Sequence, residues 1–248
     1  MTASDETRIG VLVPAGNTIH EREFARLRPE GVSFRFAGFR TPAAAATDYC
    51  TDLFAAMAQP AGELREWGAR LLLVGCTAAS MRCAGPANEA RLRALAGLPV
   101  VTAASAARDA LAALGLRRVG VATPYGVAGN RVVVDYLASL GIEVPGVAGL
   151  DLDRSPEVWQ REVPALTPQR VLELGLSVES PAVQALFLPC TGVGSLEAIE
   201  LYERRTGKPG ISSVQAGFWA SLRGLGIDGR CGGAGRLLAE WPAGRMDA

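Results

Sequence analysis

The stretch LLLVGCTAAS at residues 71–80 ends an apolar run on one cysteine, Cys76, and follows it with small residues. A second stretch, ALFLPCTGVGS at residues 185–195, repeats this arrangement around Cys190. Each apolar run has the length and composition of a buried β-strand bounded by turn residues. The chain therefore contains two copies of one local pattern, a buried strand followed by Cys-Thr.

The repeat extends beyond these cysteines. The segment RIGVLVP matches RVGVATP 110 positions later, and GLPVVT matches GKPGIS at the same spacing. Cys76 and Cys190 are themselves 114 positions apart. Three matches in the same order predict two similar halves, which we place at residues 1–114 and 115–248. We expect that the C-terminal segment can pack on the first half.

Short apolar runs alternate with longer amphipathic stretches along the whole chain. Residues 51–68 and 130–141, for example, have the apolar spacing of helices. This alternation is typical of βαβ units. We predict an α/β fold of two Rossmann-like subdomains with parallel four-stranded sheets, related by a pseudo-twofold axis, with the active site at their interface. The predicted strands are residues 8–14, 32–38, 69–75, 98–103, 117–123, 143–150, 184–189 and 209–212.

Charge and hydropathy narrow the range of partners and locations. The 248 residues include 25 basic and 25 acidic side chains, so the formal net charge is zero. Such a balance gives no field that would attract nucleic acid or an anionic membrane, and we expect neither partner. No apolar run approaches the roughly 20 residues of a spanning helix, and the first residues lack a basic and then apolar signal segment. We therefore expect a cytoplasmic protein.

The chain has a single histidine, His20, and a single lysine, Lys208. Zinc chemistry, Ser-His-Asp hydrolysis and lysine Schiff bases need residues that this sequence barely contains. We expect His20 to be a partly exposed surface residue, Lys208 to lie in a turn, and no metal site to be present. Cysteines and carboxylates must then carry most of any proton or covalent chemistry.

The five cysteines divide into two groups. An odd number without a signal segment predicts free thiols rather than disulfides, and we interpret Cys50, Cys83 and Cys231 as core residues. Cys76 and Cys190 follow strand ends, where open parallel sheets bind ligands and the next helix directs its N-terminus. We expect both thiols to face one small molecule from opposite sides, with a pKa lowered by the helix dipole.

These motifs resemble the aspartate/glutamate racemase superfamily, in the branch that holds maleate cis-trans isomerases and arylmalonate decarboxylases. The resemblance covers nearly the whole chain and rests on VPAGN, GCTAAS, ATPYG, LPCTGVGSL and SSVQAGFW. It implies that Cys76 and Cys190 are catalytic. Decarboxylases of this branch keep only the second cysteine and have glycine at the first position, so Cys76 disfavours decarboxylation.

The resemblance implies a cofactor-independent isomerase of small dicarboxylates. Cys76 would add as thiolate to the double bond of a maleate-like substrate, and Cys190 would supply the proton on the opposite side. It also implies a homo-oligomer, specifically a dimer. The candidate substrate-binding residues are Asn17, Tyr49, Thr77, Tyr125 and Thr191.

Four of these candidates also have a purely structural interpretation. Asn17, Thr77 and Thr191 are suited to capping helices, and Tyr125 is suited to packing at the seam between the halves. Isomerases of the branch usually have an asparagine near the place that Arg154 occupies here. The segment from LEAIELYERRTGKP to AGFW, with Tyr49, is closer to the decarboxylase pattern. A substrate other than maleate therefore stays open.

Three alternative functions stay open as well. A racemase would use the same thiols as a pair of bases and would need a carboxylate or hydroxyl for the ammonium group. Asp5 and Glu21 lie in the right region of the sequence for that contact. Arylmalonate-type decarboxylation is the second alternative. The third is a non-catalytic binder of small ligands, because a fold does not fix a function.

Overall fold

The structure is a computed structural model that describes residues 6–43 and 45–241. Its strands form two parallel four-stranded sheets, as the repeat predicts. The eight predicted strands are all present, with each end within two residues of the expected position. The strands are β1 (Thr7–Pro14), β2 (Val32–Phe39), β3 (Leu71–Val74), β4 (Val100–Thr102), β5 (Arg118–Thr123), β6 (Glu143–Gly149), β7 (Ala185–Leu188) and β8 (Gly210–Ser212).

The two sheets have the same topology. The strand order is β2-β1-β3-β4 in the first sheet and β6-β5-β7-β8 in the second. In each, the first strand in sequence lies inside the sheet and pairs with the second and third. All four residues of β3 and all four of β7 are buried and apolar, as expected for inner strands of parallel sheets.

Helices connect the strands and cover the sheets. Two of them start with a capping box, Thr102 with Ser105 and Ser212 with Gln215, at matching places in the two halves. The helices are α1 (Ile19–Leu27), α2 (Tyr49–Glu66), α3 (Thr77–Arg82), α4 (Pro86–Ala96), α5 (Ala103–Ala113), α6 (Val127–Ser139), α7 (Pro156–Glu162), α8 (Pro168–Ser177), α9 (Leu196–Thr206), α10 (Ser213–Gly224) and α11 (Arg236–Glu240).

The last sheet-covering helix of each half reaches across to the other. Helices α5 and α10 pack against each other, α10 also packs against β3, and α5 also packs against β8. The buried face of α5 is mainly alanine, which allows the backbones to approach closely. This exchange brings the C-terminal ends of β3 and β7, and the cysteines after them, into one region.

Two glycines in helix-ending positions explain the repeated segments GLPVVT and GKPGIS. Gly97 ends α4 with φ 63° and Gly207 ends α9 with φ 71°, so both adopt the left-handed conformation common after helices. Lys208 follows directly and lies in the turn before β8, as predicted.

The expectation that all cysteines are free is wrong. Cys50 and Cys83 form a disulfide, with their Cα atoms 5.7 Å apart. Cys50 lies in the first turn of α2 and Cys83 is the C-cap of α3, so the fold brings together two residues 33 positions apart in sequence. Within the described ranges, the free cysteines are Cys76, Cys190 and Cys231.

Among residues 6–43 and 45–241, no helix combines the length and apolar character needed to traverse a bilayer.

Candidate active site

Cys76 lies at the start of a helix. It follows β3 by two residues and is the N-cap of α3, with an extended backbone. The backbone N–H of Ala79 lowers the pKa of the Cys76 thiol, and Cys76 is half-buried. This placement agrees with the prediction that a helix N-terminus faces the first thiol.

Cys190 lies in a different local structure. It follows β7 by two residues and is 4% exposed, but α9 begins only at Leu196. A loop of small residues, TGVGS, separates the thiol from that helix. The expectation of a helix directly after Cys190 is therefore wrong. The N–H groups of Gly192 and Val193 point to its sulfur instead, the first at 3.4 Å.

Tyr125 is close to both thiols. Its hydroxyl hydrogen-bonds the sulfur of Cys190. Burial raises the pKa of Tyr125 well above its usual value, and negative charge on Cys190 or Cys76 would raise it further. The ring stacks on Trp159 of α7, with centroids 5.7 Å apart and planes within 5°. The two cysteines of the repeat thus share one site.

The loops that carry the two cysteines are joined by hydrogen bonds. Thr191 donates its hydroxyl to the carbonyl oxygen of Gly75 at 2.8 Å. The side-chain nitrogen of Asn17 donates to the carbonyl oxygen and hydroxyl of Thr191, at 3.2 and 3.3 Å. The side-chain oxygen of Asn17 accepts a hydrogen bond from the N–H of His20, so this residue also binds the first turn of α1. Asn17 and Thr191 therefore lie at the site and hold its two sides together.

Both thiols resist ionisation. Burial raises the pKa of Cys76 to about 12 and that of Cys190 to about 11. The N–H donors around each sulfur lower these values only in part. The expectation that a helix dipole lowers the pKa of both thiols is wrong. Removal of water destabilises a buried thiolate more than one or two N–H donors stabilise it.

Tyr49 lies on the Cys76 side of the site. Burial raises the pKa of Tyr49 to about 12, and negative charge on Cys76 contributes to that rise. The guanidinium of Arg82 lies 4.0 Å above the Tyr49 ring centroid. Aromatic side chains thus flank both thiols, Tyr49 beside Cys76 and Tyr125 with Trp159 beside Cys190.

The remaining predicted residues differ in their surroundings. Thr77 is 1% exposed, and its hydroxyl has no hydrogen-bond partner among the described residues. Arg154 is exposed and lies 3.9 Å from Asp151. Glu21 is exposed on α1, which gives no support to a contact with a buried ammonium group. Asp5 lies outside the described residues.

His20 is buried, contrary to the sequence-based prediction. It is 0% exposed, and its ring packs edge-on against Phe24 at 4.6 Å. A Cβ on Gly75 would lie 2.5 Å from the His20 ring, so only glycine fits directly before Cys76. Burial lowers the pKa of His20 to about 3. The spacing of His20 and Phe24, one helical turn apart, was a usable signal for this buried face.

Two further residues near the site were missed. Trp159 stacks on Tyr125, and Glu23 of α1 binds the end of the loop that carries Cys190. Nothing local in the sequence distinguishes Glu23 from the exposed Glu21, because its partners lie about 170 positions away.

No metal site accompanies the thiols. In the part of the chain that the structure describes, no group of three or more His, Cys, Asp or Glu side chains is arranged to hold a metal ion.

A cavity of about 580 Å³ lies along β4, between Leu92 of α4 and Trp219 of α10. Neither Cys76 nor Cys190 lines this cavity.

One family model and one relative match nearly the whole chain. The family model described as arylmalonate decarboxylase matches residues 9–238. The arylmalonate decarboxylase of Bordetella bronchiseptica is 29% identical over 245 residues, covering 97% of this chain and 100% of the relative.

Solved structures give the same result. A cysteine-to-alanine variant of the maleate isomerase Iso from Pseudomonas putida S16 with maleate has a TM-score of 0.84 and 28% identity, covering 96% of this chain and 98% of that one. A cysteine-to-serine variant of the Nocardia farcinica maleate cis-trans isomerase, with a covalently bound succinylcysteine intermediate, has a TM-score of 0.81 and 27% identity. It covers 94% of this chain and 98% of its own.

Proposed function

The chain belongs to the arylmalonate decarboxylase family, and from that premise we propose that it is a cofactor-independent isomerase of small dicarboxylates, of the maleate-to-fumarate type. The observation that carries this proposal is the presence of two free thiols, Cys76 and Cys190, around one tyrosine, Tyr125. Similarity to a maleate isomerase with maleate, and to one with a succinylcysteine intermediate, supports the same chemistry.

The first half of the proposed reaction forms a covalent adduct. The Cys76 thiolate bonds to one alkene carbon as the π bond breaks, and the electron pair moves to the neighbouring carbon and its carboxylate. Cys190 protonates that carbon from the opposite side and becomes a thiolate. The former double bond is now a single bond and can rotate.

The second half reverses these steps after rotation. The Cys190 thiolate removes the proton, the double bond forms again, and the carbon–sulfur bond breaks to return the Cys76 thiolate. Atoms and charges balance without a redox group, so the proposed reaction needs no cofactor. Hydrogen-bond donors at the carboxylate stabilise the enediolate that forms in each half. Asn17, Thr77, Tyr125, Thr191 and Tyr49 are the proposed substrate-binding residues.

The high thiol pKa values fit an addition mechanism. A thiol with a high pKa is a stronger nucleophile once ionised, although less of it is ionised at neutral pH. A protonated Cys190 is also what the second role requires, because it must deliver a proton. Since the pKa of Cys76 lies at about 12 and that of Cys190 at about 11, both thiols are mainly protonated at neutral pH. The addition therefore starts from the small fraction of enzyme in which Cys76 has released its proton to solvent and Cys190 has kept its own.

Decarboxylation is the second candidate, because the matching family model and one relative are arylmalonate decarboxylases. The stacked pair Tyr125–Trp159 beside Cys190 favours it, since such a surface suits an aryl group. Against it stands Cys76, because the decarboxylases that this chain resembles have glycine there. Racemisation has less support, since Glu21 is exposed.

A cytoplasmic location and a homodimer belong to the same proposal. The Cys50–Cys83 disulfide makes the location worth measuring directly, because structural disulfides are rare in the cytosol. Cell fractionation with thiol labelling would show where the protein resides and whether this pair is oxidised there. Light scattering would give the oligomeric state.

A proton NMR time course in D2O tests the function. The purified protein is incubated with maleate, phenylmalonate, L-aspartate and L-glutamate, beside the variants Cys76→Ala, Cys190→Ala and, as a control, Cys231→Ala. Conversion of the maleate vinyl signal to that of fumarate, lost in the first two variants and kept in the third, is the expected result. Phenylacetate formation would assign decarboxylation, and loss of an amino-acid α-proton signal would assign racemisation. If all four compounds persist, the catalytic proposal is wrong and a binding role is favoured.

A further inference from the structure

Helix α1 lies between the loops that carry the two cysteines. Its buried face includes His20, which packs on Gly75 directly before Cys76. Asn17, just before the helix, binds Thr191 directly after Cys190. One short helix of the first half thus contacts both loops of the site.

Glu23 is the most deeply held charged group of this helix. It is 3% exposed, and its carboxylate accepts hydrogen bonds from the N–H of Ser195 at 2.8 Å, the hydroxyl of Ser195 at 2.8 Å and the N–H of Leu196 at 3.1 Å. Burial raises its pKa, while these donors lower it. A buried carboxylate is costly unless it is hydrogen-bonded, and the N-terminus of α9 supplies both donors and a favourable dipole.

The loop that Glu23 binds has no helix to fix the thiol. Cys76 is itself the N-cap of α3, whereas the segment Cys190–Ser195 runs through two glycines before α9 begins. Asn17 holds this segment next to the thiol, and Glu23 holds its far end. Between the two attachments lies Gly192, which donates its N–H to the sulfur of Cys190.

The second half supports this interpretation by contrast. At the repeat offset of 110 residues, the position that matches Glu23 is Val133 of α6. Val133 is 0% exposed, and α6 packs against α3. Helix α3 starts directly at the first thiol, so this contact needs no carboxylate. The carboxylate is present only where a glycine-containing loop, rather than a helix N-terminus, follows the cysteine.

We propose that Glu23 is a positioning residue, whose carboxylate anchors the Cys190–Ser195 loop and thereby holds the Cys190 thiol opposite Cys76. The kinetic consequence of this role rests on the proposed function, whereas the geometry of the loop does not. The test therefore needs one measurement of turnover and one that is independent of it.

Three variants of Glu23 separate the effect of side-chain length from the effect of the negative charge. Glu23→Gln keeps the length of the side chain and an oxygen that can accept from both N–H groups, but loses the charge. Glu23→Asp keeps the charge but is one methylene too short. Glu23→Ala removes both, and Glu21→Ala on the exposed face of α1 is the matched control.

The first measurement is alkylation of the folded protein by iodoacetamide, with peptide mapping of Cys190 relative to Cys76. We expect this ratio to rise severalfold in Glu23→Ala and Glu23→Asp, because the loop loosens, and to stay near wild type in Glu23→Gln and Glu21→Ala. General destabilisation would move both thiols together and leave the ratio unchanged. An unchanged ratio in Glu23→Asp would overturn the proposal even if Glu23→Ala does not fold.

The second measurement is steady-state turnover of maleate. Misplacement of a reacting group by about 1 Å can cost about 100-fold in rate, so we expect kcat of Glu23→Asp to fall by about 10- to 100-fold with little change in KM. Glu23→Gln should retain most of the wild-type kcat. If Glu23→Asp stayed active and Glu23→Gln lost activity, the negative charge of Glu23 would matter rather than the length of its side chain. That result would contradict a positioning role. If wild type does not convert maleate, the function is wrong, and the alkylation ratio still decides the role of Glu23.

Discussion

The hydroxyl of Thr191 donates a hydrogen bond to the carbonyl oxygen of Gly75 across the two halves, at 2.8 Å. Thr191 follows Cys190 and Gly75 precedes Cys76, so this contact sets how far apart the two cysteine loops lie. Both groups are buried, and loss of the donor would leave the Gly75 carbonyl without its partner from the other half.

We expect Thr191→Val to lower the free energy of unfolding by about 1–3 kcal/mol, the usual cost of a buried polar group left unpaired. Maleate turnover should fall by about tenfold or more, because the thiols of Cys76 and Cys190 are no longer held in their relative position. Urea denaturation and steady-state kinetics measure the two effects. Thr206→Val is the matched control, since the hydroxyl of Thr206 donates to the carbonyl oxygen of Tyr202 at the end of α9. Equal losses of activity in both variants would contradict a specific role for the Thr191 contact.

The Cys50–Cys83 disulfide closes a loop of 33 residues that includes β3 and Cys76. Crosslinks of this span typically add about 2–4 kcal/mol by restricting the unfolded chain. We expect the double variant Cys50→Ser, Cys83→Ser to lose about that much stability, and dithiothreitol to bring wild type to the same level. Cys231→Ser is the control and should respond to dithiothreitol as wild type does. No effect of dithiothreitol on wild-type unfolding would mean that the crosslink is absent or contributes nothing.

Much of this fold follows from local sequence. Buried parallel strands are short apolar runs, which is why all eight strands were found, and the repeat of LLLVGCT in ALFLPCT predicted two sheets of one topology. The position of both cysteines beyond strand ends follows from the same pattern. None of these inferences needed knowledge of which helix packs where.

Three of the wrong predictions depend on packing between distant segments. The Cys50–Cys83 pair requires the start of α2 to meet the end of α3. The raised thiol pKa values require knowledge of how much water the two halves exclude. His20 is buried because α1 packs its ring on Gly75, and its spacing from Phe24 is the helical periodicity of that buried face.

The buried His20 makes stability depend on pH. Burial lowers its pKa from an ordinary 6.5 to about 3, so the folded protein keeps the ring neutral while the unfolded chain takes up a proton below pH 6.5. The stability that neutral His20 contributes is complete above the pKa of the unfolded chain. It is lost as the pH falls toward the pKa in the folded protein, at about 1.4 kcal/mol of unfolding free energy per pH unit. We expect urea denaturation of His20→Leu to show a shallower loss of stability between about pH 6 and 4 than wild type.

Comparison with wild type isolates this effect, because His20 is the sole histidine and the carboxylates are common to both proteins. Phe24→Leu is the control, since it reduces packing on the same face of α1 without removing a titrating group. That variant should lose stability by a similar amount at every pH. Parallel curves for wild type and His20→Leu would show that His20 does not stay neutral in the folded state.

The protonation of the two thiols predicts the pH profile of catalysis. Below its pKa, the ionised fraction of Cys76 grows tenfold with each pH unit, and kcat/KM reports the ionisation of the free enzyme. Because burial raises the pKa of Cys76 to about 12 and that of Cys190 to about 11, we expect kcat/KM for maleate to rise steadily from about pH 7 to about pH 10 without a plateau. Cys231→Ala, which leaves the site intact, should give the same profile. A plateau that begins near neutral pH would mean that Cys76 is already ionised in the free enzyme, so that the N–H of Ala79 and the dipole of α3 outweigh the cost of burial after all.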